Sequence, residues 1–68
     1  MRNSLEAYAH CGREAGLAMR HGDISMYRLK AGHFRMMLDV ERREDRPAAE
    51  SAYKRAYSAI ARPFIISG

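Results

Sequence analysis

Sixty-eight residues make one domain with a thin core, and below roughly 70–80 residues such a core rarely contributes more than about 3–5 kcal/mol of net stability without outside help. A single cysteine, Cys11, excludes an intramolecular disulfide, and the lack of any apolar run of about 18–20 residues excludes a membrane-spanning helix. The net charge is +4, with arginine supplying nearly all of the positive charge, which admits nucleic acid or an acidic protein as partner without selecting either.

Apolar spacing predicts three helices. The first covers about 4–21. It starts at Asn3 or Ser4, with Asn3 and Glu6 spaced as a capping box. Leu5, Tyr8, Ala9, Cys11, Gly12, Ala15, Gly16, Ala18 and Met19 fall on one side of a 100° wheel, while Glu6, His10, Arg13, Glu14, Arg20 and His21 fall on the other. Leu17 lands on the polar side. Gly22 is a stop signal, and Asp23 is placed to cap the second helix.

The second helix is predicted over about 24–44. Its main stripe is Ile24, Tyr27, Ala31, Phe34 and Leu38, with Met26, Leu29, His33, Met36, Met37 and Val40 beside it. A helix apolar on so much of its surface needs cover on two sides, which makes it the expected central element. Pro47 then opens a third helix, about 47–62, after Asp45 or Arg46 as cap. Ala49, Ala52, Tyr53, Ala56, Ala59 and Ile60 form its inner face, with Glu50, Lys54, Ser58 and Arg62 outside and Pro63 as its end. The tail 63–68, with Phe64, Ile65 and Ile66, is too apolar to stand free in water; either it and the third helix cover the second stripe of helix two, or that stripe is an interface. The fold class is all-α: a compact three-helix unit, built as a helical hairpin plus a third helix, with short linkers and antiparallel neighbours.

Catalysis is not indicated. His10 and Cys11 are adjacent, so on a helix they point about 100° apart and are not expected to serve one site. Zinc-ligand spacings are absent, and no metal or other cofactor is expected. Cys11 reads as a small core residue. Glu6, Glu14, Asp39 and Glu41 sit among arginines at spacings that suit surface ion pairs. Gly12 and Gly16 share the inner stripe of the first helix and predict a groove for Tyr27 or Phe34 of the second, with a close homodimer seam as the other option. Ala18 and Gly22 fit the spacing of a helix-turn-helix, but His21, Asp23 and Arg28 stand where that motif requires apolar residues. Phe34 and the Gly22-Asp23 turn fit a tetratricopeptide unit, but Tyr27 stands where a small residue is required and no second repeat is present. Neither pattern assigns a family.

Two surfaces are left to carry function. Met26, Leu29, His33, Met36, Met37 and Val40 form an apolar surplus suited to an adaptable protein-binding face. Arg28, Arg35 and Arg42 recur every seven residues, with Arg43 and Arg46 after them, and form a basic edge for steering or phosphate contact. The expectation is a non-enzymatic adaptor, inhibitor or regulatory subunit, of the kind found among bacterial and phage accessory proteins. It is expected to self-associate, and its expected partner is another protein, a second copy of itself in a homodimer, or both. A small basic nucleic-acid-binding regulator is the alternative. Membrane binding and a small-molecule substrate are not expected, and the compartment expected from the cysteine usage is the cytoplasm.

Overall fold

The computed structural model describes the backbone of residues 1–66 and the side chains of residues 1–61. The chain is all-α, with three helices in the order α1 (Leu5–Arg20), α2 (Ile24–Asp39) and α3 (Arg46–Ile66), and a 3₁₀ turn at Arg43–Asp45. Ser4, in extended conformation, caps α1 by accepting from the Ala7 amide at 3.1 Å. Asn3 is therefore not the cap, and Glu6 pairs instead with Arg13 at 2.6 Å. Gly22, at φ +72°, turns the chain out of α1, and the Asp23 carboxylate accepts from the Met26 amide at 3.0 Å to start α2.

Residue pairings fix the directions. Tyr8 meets Phe34 and Cys11 meets the Lys30 carbonyl, so α1 and α2 run antiparallel. Gly12 faces Tyr53 and Ala56 while Gly16 faces Tyr57 and Ile60, so α1 and α3 run parallel. The central element is α1 and not α2, because the small residues lie on α1. Its inner face of Gly12, Ala15 and Gly16 lets the α3 backbone come close, which larger side chains on α2 do not permit. The groove made by the two glycines accordingly admits α3, and neither Tyr27 nor Phe34 enters it. Contact between α2 and α3 runs through an aromatic ladder instead. Phe34 stacks on Tyr53 at 4.0 Å, Tyr27 approaches Tyr57 at 6.0 Å, and Tyr8 meets the edge of Phe34 at 6.0 Å. Burial in this ladder pushes the Tyr53 hydroxyl up to about 12.

Three boundaries differ from those the spacing predicts. α2 ends at Asp39 rather than near Glu44, and Glu41, just beyond the end, accepts from the amides of Arg2 and Asn3. Asp45 lies in the 3₁₀ turn, and α3 begins at Arg46. Pro63 does not end α3, whose backbone continues to Ile66; proline's φ is itself helical, so near a helix end it removes a ladder bond without diverting the chain. Cover by the Phe64–Ile66 tail and the orientation of Arg62 lie outside the described side chains.

The core is made of small residues. Tyr8 is the one large side chain that is fully buried among the described residues, joined by Cys11, Ala15, Ala18, Ala49 and Ala61. None of the described leucine, isoleucine, valine, methionine or phenylalanine side chains is buried. Leu5 and Ile24, assigned to inner stripes from spacing, lie at the ends of their helices and are about half exposed, and Ala59 is also exposed.

The helix packing predicts a graded response to adding one methyl group. A Cβ at position 12 would run into the Tyr53 carbonyl oxygen, and one at position 16 would sit 2.8 Å from the Ile60 Cβ. Gly12→Ala should lower unfolding stability by about 1–3 kcal/mol through overpacking. At Gly32 nothing lies within 4 Å of the added atom, so Gly32→Ala should raise stability by about 0.5–1 kcal/mol. Urea unfolding of the two variants checks the opposite signs.

Candidate functional site

Of the face singled out from the sequence, Met26, Leu29, His33, Met36 and Met37 lie on α2 and Val40 is its C-cap. No residue of α2 is buried. Met26, Leu29, Met36 and Val40 are 40%, 50%, 70% and 55% exposed, His33 is exposed beside them, and Met37 is half-buried. Met26, Leu29, His33, Met36 and Val40 step by three and four residues, the a/d spacing of a coiled-coil seam. Such a row is what one helix presents to another, and here no element of the described chain covers it.

The row borders a groove of about 530 Å³ between α1 and α2. His33 belongs to both, and Met37, Ser4, Glu6, Ala7, His10, Cys11 and Lys30 complete the groove. His10 and Cys11 thus line one cleft after all, because the cleft opens between their two directions. They do not form a reactive pair. The Cys11 thiol is buried, donates to the Lys30 carbonyl at 3.3 Å, and has its acidity weakened by desolvation. Lys30 is held by Glu14 at 3.8 Å. No cluster of three metal-ligating side chains occurs among the described residues.

The basic edge is rearranged. Arg28 and Arg35 stay on α2, but Arg42 lies past its end, where the backbone is extended. Arg43 belongs to the 3₁₀ turn, and Arg46 opens α3. None of the five is buried, and among the described residues none of them is in an ion pair. The seven-residue stripe is thus shortened to two members, and the other three gather at one corner of the molecule.

That corner is built on Glu41, which spacing alone had assigned to the surface. Glu41 is only 4% exposed. Its Oε1 accepts from the Arg2 amide at 2.8 Å; its Oε2 accepts from the Asn3 amide at 2.8 Å, from the Tyr8 hydroxyl at 2.6 Å and from Asn3 Nδ2 at 3.3 Å. Asn3 Nδ2 also donates to the Met37 carbonyl at 3.2 Å, which satisfies one of the open carbonyls at the end of α2; the Tyr8 oxygen lies 2.9 Å from the same carbonyl, but its single proton goes to the closer Glu41. The latch draws residues 1–3 against the end of α2 and shapes a second cleft of about 550 Å³. Arg2, Val40, Arg42 and Asp45 line it, and Asp45 is engaged by the Met1 amine at 3.7 Å. Val40 therefore ends the apolar row and forms a wall of the arginine-bearing cleft. Arg2 escapes a reading by periodicity because it precedes the first helix.

No described helix is long and apolar enough to cross a membrane. No family model, curated protein or solved structure matches the chain.

Burial alone would raise the Glu41 pKa, but the hydrogen bonds from Tyr8, Asn3 and Arg2 outweigh it and hold the carboxyl at about 2, below its ordinary 4.5. The folded value is the depressed one. The latch therefore contributes fully above about pH 4.5, and its contribution is lost as pH falls toward 2. Urea midpoints measured through that window should fall more steeply for the wild type than for Glu41→Gln. Tyr8→Phe, which lacks the shortest donor, should lie between them.

Proposed function

We propose that this chain is a non-enzymatic helical protein of the cytoplasm, an adaptor, inhibitor or regulatory subunit, that works by protein–protein contact through the outer side of α2. The observation that carries the reading is the exposed row of Met26, Leu29, Met36 and Val40 on a helix with no buried residue. A monomer gains nothing from placing its largest flexible apolar side chains in water while packing its interior with alanine and glycine. Methionine suits the role because its unbranched, polarisable side chain adapts to the surface that meets it. The exposed arginines supply steering and orientation toward a partner of opposite charge. The single cysteine is buried and free, in keeping with a reducing compartment.

The alternative, a small basic nucleic-acid-binding regulator, draws on the same arginines. It accounts for guanidinium groups that stand without ion pairs among the described residues, but gives no role to the apolar row. Among the described residues it also lacks stacking platforms, since Tyr27, Phe34, Tyr53 and Tyr57 are engaged with one another.

A photo-crosslinking residue placed at Met36 in the native host, with the same residue at exposed Ser51 of α3 as control, tests the proposal. The expected outcome is a protein adduct from position 36 and none from position 51. Nucleic-acid adducts alone, or equal protein labelling from both positions, would sink it. Met36→Lys should change unfolding stability by no more than about 0.5 kcal/mol, so that loss of the adduct on this change is not loss of the fold.

A further inference from the structure

The charges of this molecule are engaged unevenly. Glu6 is paired with Arg13, Glu14 with Lys30 and Asp45 with the Met1 amine, Asp23 caps α2, and Glu41 is saturated by the latch. Of the eight acidic residues, Asp39, Glu44 and Glu50 have no such engagement among the described residues. The arginines show the reverse: Arg13 is the only one in an ion pair among the described residues. Carboxylates are used internally, and guanidinium groups are presented outward.

We infer that the partner of the α2 face is an acidic amphipathic α-helix of a different protein, lying along the Met26–Val40 row with a carboxylate seated between Arg2 and Arg42. The inference rests on reading α2 as a protein-docking face and adds what docks there. The three-four spacing of the row selects a helix as occupant, since that spacing keeps an apolar seam facing a second helix. The stretch from Met26 to Val40 spans about 21 Å of helix axis, so the occupant contributes about four turns. Val40 joins the row to the cleft where Arg2 and Arg42 stand, and the carboxylates already there, Glu41 and Asp45, are engaged internally. An incoming carboxylate therefore meets guanidinium groups without a resident competitor. A second copy of this chain fits less well, since it brings a net charge of +4 against +4 and few unengaged acidic side chains.

Two designed helical peptides of about 18 residues test this, both with leucine at a and d positions. One carries glutamate at the flanking positions and the other lysine. Fluorescence anisotropy with the full chain should show the acidic peptide bound at least tenfold more tightly. Met36→Asp should abolish its binding. Arg2→Glu combined with Arg42→Glu should reverse the preference, because the latch uses the Arg2 backbone amide and not its side chain. A merely structural role for the arginines would weaken both peptides alike. Equal binding of the two peptides, or binding of neither, overturns the inference. So does a wild-type dimer in sedimentation that Met36→Asp dissociates, which assigns the face to a second copy. Displacement of the acidic peptide by a short DNA duplex, lost on the double arginine change, assigns the corner to a phosphate backbone and overturns it also. A protein adduct at Met36 together with indifferent peptides would refute the acidic helix and leave the docking face standing. Absence of the adduct would remove both.

Discussion

The close approach of α1 and α3 at Gly12 and Gly16 sets the rest of the structure. Two glycines four residues apart leave a strip of α1 without side chains, and the α3 backbone at Tyr53 and Tyr57 occupies it. Mid-helix glycine weakens a helix by roughly 1 kcal/mol relative to alanine, so the gain must come from contact. Once the two backbones are this near, no room remains between them for large side chains. The interior is then filled by alanine, Cys11 and one tyrosine, and the larger apolar residues are displaced to the edges. The position of α2 is a consequence. It packs against the other side of α1, touches α3 through aromatic rings, and keeps its outer surface uncovered by the described residues.

An interior of that kind gives little hydrophobic stabilisation, because burial free energy scales with apolar area and alanine brings little. The Glu41 latch supplies what the apolar core does not. It uses both carboxylate oxygens, two backbone amides, the Asn3 amide and the Tyr8 hydroxyl, and no buried side-chain polar atom among the described residues is left without a partner. Full satisfaction matters because a buried carboxylate missing one donor would be a liability rather than a tie. The latch sits just past the end of α2, where Glu41 follows the Val40 C-cap and meets Asn3 and Tyr8.

What the sequence made legible were local features. Helix starts at Ser4 and Asp23, the turn at Gly22, Cys11 as a core residue and the apolar surplus of α2 each depend on residues near one another in the chain. What it hid depends on pairs distant in the chain. Glu41 reads as a surface acid among arginines until residues 2, 3 and 8 are brought to it, and nothing in its neighbourhood announces them. Gly12 and Gly16 mark a close contact without naming the helix that makes it. The apolar width of α2 suggested a central helix covered on two sides, but width reports only how much surface wants cover. The neighbour with small residues, α1, was the one able to pack on both sides.

The uncovered row and the outward-facing arginines have one physical origin. A chain this short can bury few side chains, so each large apolar group must compete for a place in a core already closed by the α1–α3 contact. Most of those that lose fall on α2 or its C-cap, the helix not held by backbone proximity. Charges sort by a similar competition. Carboxylates are short, and they reach amides and helix starts within the fold, as Asp23 and Glu41 do. Guanidinium groups sit on long stems, find few carboxylates left, and stay in water. The result is a molecule whose inside is small and acid-tied and whose outside is apolar and basic along connected surfaces. On the docking reading of α2, a partner would bring apolar area and negative charge together, matching the exposed row and the guanidinium groups left unpaired among the described residues.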